Sequence, residues 1–475
     1  MYEHGSTFLG GPPNEYHHSL YTRWSSGRWG MIITGNVQVS STHLTLGRDM
    51  VVPASLTSET TEPFKSLAAA IHSSSPDTLA IMQLSHAGRQ SPNILGGRLP
   101  FVPPLAPSAV QLGSTNRRSS SIGQLVYNFL FQTPRQMLTE DIDNVVVEFV
   151  RGATLAAESG FDGAELHASH GYLLAQFISP KTNKRSDEYS LKDALHLLRR
   201  MVSSIRAVVP PTFAIGVKLN AADYTDDDSG ANDEKGCTRA TPSSEETRAL
   251  GHVSEIASWG MVDFIEISGG DYENPKFMEA KSSPRSSRQA LFSKFSKRAM
   301  SVLPSHAETN STTLSSSTRP PPLILLTGGL TTYERFRTCL ESNHAHLLGV
   351  GRLSILCPEL PRLLHSTSNI DSFLTDIPSP SFESRFLDRA WRRLDRILGM
   401  PRLIGAGLGM AWYVVMMRRM VEDQGEGGDL GGVDAAVKMW LWTAPSAKRS
   451  MDWGVWTWTL ISLLVVGFAV AYIVF

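Results

Sequence analysis

Charge of neither sign is in excess. The 475 residues hold 44 Lys and Arg against 45 Asp and Glu, a formal net charge of −1. Such a balance offers no basic field for nucleic acid. Cysteine is scarce: Cys237, Cys339 and Cys357 stand far apart and form no CxxC pair. That excludes a disulfide framework or zinc ribbon and fits a reducing compartment. The opening MYEHGSTFLGGPPNEYHH has no basic stretch leading into an apolar run, so it does not read as a signal peptide. No HExxH occurs, since Glu165 precedes His167 instead of following it. No metal site is expected.

What is present is an alternation. Short apolar runs end in polar or glycine residues at Gly30–Asn36, Leu79–His86, Phe161–Ser169, Phe213–Asn220, Val262–Gly270, Pro322–Leu330 and His346–Arg352. Between several of them lie amphipathic segments, Thr139–Ser159, Ser190–Val208 and Ser243–Trp259, the first with Thr139 as its expected N-cap. Continuous apolar strands separated by such helices predict a parallel sheet covered by helices. Seven strands are recognisable, and the expected class is an α/β barrel of the (β/α)8 TIM type over residues 1–400.

Two stretches look like excursions. Ser91–Pro134 is long and rich in Pro, Gly and Ser, as lids and binding loops are. Ser305–Pro320 is of low complexity and is expected to be a disordered insertion. Beyond about Pro378 the character changes. Phe382–Leu398 reads as a charged helix. Ile404–Met417 is an uncharged apolar run too short to cross a bilayer, expected to pack on the barrel. Residues 401–452 form an extension that includes a Gly-rich linker, Gln424–Gly432. Trp453–Phe475 then runs 23 residues without a charge. At about 1.5 Å per residue it reaches about 34 Å, enough for the apolar core of a bilayer. Trp453, Trp456 and Trp458 crowd its start, with Lys438, Lys448 and Arg449 before it. The expectation is a single-pass, tail-anchored membrane protein with its barrel in the cytosol.

The chemistry gathers at strand ends. The stretch FDGAELHASHGYLLAQFISPKTNKRSDEY, Phe161–Tyr189, closes a strand with His167, His170 and Tyr172. Clustered His and Tyr at a strand's C-terminal end mark the functional rim of a barrel. TGGL, Thr327–Leu330, and GVGR, Gly349–Arg352, end the last two strands, where barrels commonly hold phosphate. Backbone N–H groups there, with Arg352 as counter-charge, suit an anion.

Taken together, QLSHAGRQ (Gln83–Gln90) and Phe161–Tyr189 resemble the signatures of the Old Yellow Enzyme family of FMN-dependent ene-reductases. The resemblance covers roughly Ser19 to Arg418. It implies FMN as cofactor, NAD(P)H as hydride donor and a small activated alkene as substrate. It assigns His167 and His170 to the substrate carbonyl and Tyr172 to proton donation. Asn36, Gln83, Lys218, Gly328, Gly329, Gly351 and Arg352 would hold the cofactor, with Lys218 standing where most of the family has Arg. Two parts of the pattern are missing: the opening strand of the type N-R-x-x-x-A-x-M, and the two Gly and the Arg that follow DEY, here DEYSLKDA. The first barrel strand is therefore expected to be absent, with coding sequence for it upstream of Met1. A second reading stays open, a membrane-anchored barrel that keeps the fold without the flavin and serves as a scaffold.

Overall fold

The computed structural model describes residues 3–113, 121–221, 244–270, 287–303, 319–366, 388–391, 393, 402–422 and 430–441. The expectations for Ser305–Pro320 (but for its last two residues), for most of Phe382–Leu398 and of Gln424–Gly432, and for Trp453–Phe475 lie outside the described residues. Among those described, no helix is long and apolar enough to cross a membrane.

Eleven strands occur among the described residues: β1 (Met31–Ile33), β2 (Val37–Gln38), β3 (Met50–Val51), β4 (Leu79–Ser85), β5 (Leu105–Ala106), β6 (Arg135–Gln136), β7 (Gly163–Ala168), β8 (Ala214–Asn220), β9 (Phe264–Ser268), β10 (Leu323–Thr327) and β11 (Leu347–Gly349). Nine of them form one parallel sheet ordered β11-β10-β9-β8-β7-β4-β2-β3, with β1 also paired to β4. All seven expected strands are in it, consecutive ones side by side. Gly30–Asn36 is not one strand, however. β1 lies along the start of β4 and β2 along its end. Between them Thr34 turns to give its backbone N–H to Ile81 and its hydroxyl to the Gly35 carbonyl.

The strands carry a gradient along their length. Side chains two apart point the same way, and the inward set passes from apolar to polar toward the C-terminal ends. Ile81, Phe264 and Leu325 form a buried floor, packed by Met31, Ile33, Ala214 and Leu347. Two residues further along come Gln83, Glu266 and Thr327. Outside the sheet, a large apolar layer including Phe64, Phe149, Met201 and Phe295 joins it to the helices. At Gly216 a Cβ would stand 2.1 Å from the Phe264 ring, so the absent side chain is what lets that ring fill the floor.

No ladder joins β11 to β1 among the described residues. Side chains span the interval instead. The Trp24 indole donates to the Ser354 carbonyl at 2.8 Å, and Trp29 to Pro358 at 2.7 Å. The Arg402–Val421 helix covers this flank. Its residues Ala411–Met417 are all buried, in one cluster with Tyr16 and Leu20 of the Glu15–Ser25 helix and with Ile355. The apolar run thus packs on the barrel, as its length predicts.

Two expectations need correcting. Thr139 is the first residue of its helix, and Leu138 is the N-cap. The Leu138 N–H is taken at 2.7 Å by the Asp141 carboxylate, itself paired to Arg135 at 2.8 Å. The acid three places on closes the turn, so a hydroxyl cap is not needed. Ser91–Pro134 is also more ordered than a loop. It holds the Ser121–Leu130 helix and β5, which pairs with β6 beyond it.

Candidate active site

The chain leaves β7 after Ala168 and reverses within a few residues. The turn needs left-handed backbone at His170 (φ 56°) and Gly171 (φ 74°). Asn220, at the end of β8, holds it: its side-chain oxygen accepts from the Ser169 hydroxyl at 2.5 Å and the His170 N–H at 3.2 Å. Gln90 adds a bond to the His170 carbonyl at 2.8 Å.

Three rings result. His167 and Tyr172 meet edge to face, with centroids 4.6 Å apart. His167 Nε2 lies 3.2 Å from His170 Nδ1, and His170 Nε2 lies 3.0 Å from the Ser268 hydroxyl. His167 Nδ1 accepts the Ser169 N–H at 3.4 Å, so its proton belongs on Nε2 and is given to His170. His170 then carries its own proton toward Ser268. Asn36 donates its amide to the Tyr172 oxygen at 3.0 Å, which leaves the phenol proton directed elsewhere. Both imidazoles are neutral. Burial, then Lys218, holds His170 down to about 3; burial, then His170 and Lys218, holds His167 well below the usual range.

Below the histidines lies a ring of buried charge. The ladder sets Gln83 beside Glu165, and Lys218 between His167 and Glu266. The Gln83 amide donates to Glu165 at 2.6 Å, and Lys218 Nζ meets Glu266 at 2.7 Å. Burial, and then Glu266, pushes the Glu165 carboxyl well above its ordinary range. Burial works the same way on Glu266, but Lys218 and bonds from Glu165, Lys218 and Thr327 outweigh it and hold that group low. For Lys218 burial is outweighed by Glu266 and Glu165, and the ammonium stays charged. Thus Gln83 and Lys218 share one ring, each with a carboxyl partner. Neither Glu165 nor Glu266 was singled out in sequence. The available signal was a charged residue at the centre of two apolar strands, AELHA and FIEIS, with a third in GVKLN between them. Ser268 and Asn220, also missed, end the runs FIEIS and GVKLN.

The other side of the mouth is built from backbone. Thr327 of β10 and Gly349 of β11 are paired. Gly328 (φ 115°) and Gly329 (φ 74°) follow in conformations open to glycine. Gly351 caps the short Arg352–Leu356 helix and lines a cleft with Ile33 and Gly35. Successive turns of this kind aim N–H groups into a concavity that suits an anion, so these loops fit a phosphate. The Arg352 side chain is exposed and stacks on Tyr413, 6.0 Å from the ring centre. Among the described residues no group of three or more His, Cys, Asp or Glu could hold a metal.

The rest of the Phe161–Tyr189 stretch is scaffolding. Gln176 donates to the Gly171 carbonyl at 2.8 Å and the Ala87 carbonyl at 3.3 Å, tying the exits of β7 and β4 together. Asn183 donates to Phe177 and Tyr189, both at 2.8 Å. Arg185 reaches Met137 at 2.6 Å and Pro107 at 3.1 Å, and so pins the excursion that carries β5 and β6.

The model of the NADH:flavin oxidoreductase / NADH oxidase family matches residues 10–266. The chain belongs to this family. It is thereby an oxidoreductase that uses FMN with NAD(P)H. This flavin oxidoreductase is 37% identical over 357 residues to the NADH-dependent flavin oxidoreductase iliE of Neonectria sp. (strain DH2), a match over 74% of this chain and 42% of that protein. The chain thus spans under half of that relative. With the NADH-dependent flavin oxidoreductase iccE of Talaromyces variabilis it shares 31% identity over 399 residues, 80% of this chain and 88% of the other. Its fold is that of the Old Yellow Enzyme homologue from Zymomonas mobilis, with TM-score 0.55 and 20% identity, over 80% of this chain and 93% of that one. Morphinone reductase gives TM-score 0.55 at 19% identity, covering 80% and 90%. The parallel α/β architecture is therefore of TIM-barrel type.

Proposed function

We propose that this flavin oxidoreductase passes hydride from NAD(P)H to an activated alkene, an α,β-unsaturated carbonyl compound. The observation that carries the reading is the linked group Asn36–Tyr172–His167–His170 on one strand exit, poised at the mouth of the barrel. FMN, when bound, supplies hydride transfer. The Gly328–Gly329 turn, Gly351 and Arg352 hold its phosphate, while Asn36, Gln83 and Lys218 face its ring system. His167 turns its Nε2 proton from His170 to the substrate oxygen, and His170 gives that oxygen a second N–H. As the alkene is reduced, negative charge grows on that oxygen, and two donors stabilise it. Tyr172 gives the phenol proton to the neighbouring carbon, whose developing carbanion is a strong enough base to take it. Asn36 orients that phenol.

Half-reactions test these roles. Tyr172→Phe should slow alkene reduction while leaving flavin reduction by NAD(P)H nearly intact; equal loss in both would refute the assignment. The 453–475 run supports a membrane tether with the barrel on the cytosolic side. Deleting it should release the protein from carbonate-washed membranes, and continued sedimentation would count against the tether.

A further inference from the structure

We infer that Glu266 is the positioning residue for Lys218, that Glu165 beside it is the protonated member of the carboxyl pair, and that the resulting neutral ring sets the reduction potential of bound flavin. This rests on the FMN reading above and goes beyond it in naming what controls the Lys218 charge.

The geometry is specific. Glu165, Lys218 and Glu266 come from three adjacent strands and point into the barrel. Glu165 is fully buried and Glu266 is 2% exposed. Beneath them is the apolar floor of Ile81, Phe264 and Leu325, and above them the two imidazoles, both neutral. An unpaired charge in such a place is costly. Lys218 and Glu266, 2.7 Å apart, cancel each other. A second carboxylate anion would have no cation of its own. A protonated Glu165 resolves this: its O–H donates to Glu266, and its other oxygen accepts the Gln83 amide at 2.6 Å. The ring then holds one positive charge, one negative charge and one neutral acid. The directions in which these groups are shifted, Glu165 up and Glu266 down, agree with that assignment.

The two carboxyls therefore differ in consequence. Gln is an isostere of a protonated Glu and can keep both hydrogen bonds at position 165 without changing the charge. At position 266 the same replacement leaves the Lys218 ammonium uncompensated beneath the mouth. A bare cation there favours an anionic reduced cofactor over an oxidised neutral one.

The experiment is the reduction potential of the FMN-loaded protein, measured against reference dyes. Glu266→Gln should raise it by at least tenfold in the two-electron equilibrium, about 30 mV. Glu165→Gln should leave it in place. The inference is overturned if Glu266→Gln produces no rise, or if Glu165→Gln produces an equal one. Should Glu266→Gln lose FMN, the comparison moves to melting of the flavin-free proteins. If the parent protein takes up no FMN, the FMN reading fails by itself. Melting of the flavin-free protein then decides about the ring. Glu266→Gln should lower Tm and the double variant Lys218→Met with Glu266→Gln, which removes both charges, should restore it, whereas a single variant that melts like the parent refutes the pairing.

Discussion

The two sides of the barrel mouth are built by different means. On the side of β7, β8 and β9, side chains hold one another. Asn220 fixes the turn, His167 bonds to His170, His170 to Ser268, and the charged ring is paired below. On the side of β10 and β11 the backbone does the work, through left-handed Gly328 and Gly329; Arg335 donates to the Gly329 carbonyl at 3.3 Å, and Arg352 lies exposed over Tyr413. The first side is arranged before any ligand arrives. Every group has a fixed partner, so a change to one disturbs its neighbours. The second side presents N–H groups whose direction depends on φ and ψ, so side-chain changes there should act locally. The difference predicts that substitutions at the histidines and the turn that holds them alter turnover and stability, and those in the glycine turns alter FMN affinity.

The largest effect belongs to His170. His170→Ala removes one donor from the substrate oxygen, a loss typically of about 10²–10³ in rate. FMN affinity should change little, and an equal loss in FMN titration and in steady-state alkene reduction would erase the distinction between the two sides. Asn220→Ala comes next. It leaves the His170 N–H without its acceptor, a cost of about 1–3 kcal/mol, and it should lower both denaturant stability and turnover because the turn presents His170. Gly216→Ala drives a methyl into the Phe264 ring. Overpacking of that kind costs about 1–3 kcal/mol, read as a lower midpoint in urea, with no part for any ligand.

These substitutions also mark what was legible in the sequence. The seven barrel strands were, because apolar runs that end in polar residues are the direct imprint of a covered parallel sheet with an open mouth. So were His167, His170 and Tyr172, since they are close in sequence as well as in space. The Glu165–Glu266 pair was not, because it depends on the register of β7, β8 and β9, which no local pattern carries. The break between β1 and β2 was hidden too: Thr34 gives its hydroxyl to the Gly35 carbonyl while its N–H still bonds Ile81 of β4, and an apolar run does not record that. Leu138 replaced Thr139 at the helix start because Asp141, paired to Arg135, captured the orphan N–H. The position of the Arg352 side chain followed from the Arg402–Val421 helix, which brings Tyr413 from 61 positions further along the chain.

Acid should expose the same asymmetry. His17, His86 and His170 are held to about 3 by burial first of all, and His4, His43 and His167 are also lowered by burial. In the unfolded chain such groups bind protons near pH 6.5, while the folded chain keeps His17, His86 and His170 neutral until about pH 3 and holds His4, His43 and His167 well below their ordinary range. Between those values the unfolded state binds more protons, so stability falls as pH drops below about 6.5. Glu3, Asp49, Glu148, Glu165 and Glu255, each raised chiefly by burial, oppose the trend, but the lowered imidazoles, seven with His344, outnumber them. Thermal melts at pH 7.5, 6 and 5 should show Tm decreasing in that order, and a flat or rising series would contradict neutral burial of the imidazoles. The smallest effect is that of Arg352→Ala. An exposed cation stacked on Tyr413 gives modest help to a phosphate, and FMN should bind roughly tenfold more weakly at most, with turnover of the saturated protein unchanged.

The most direct test is titration of the purified chain with FMN, followed by flavin absorbance and fluorescence. The account predicts saturable uptake of one FMN per chain, weakened by Gly329→Ala, where a side chain strains a φ of 74°, and unaffected by Tyr172→Phe. A chain that stays colourless with excess FMN would contradict it.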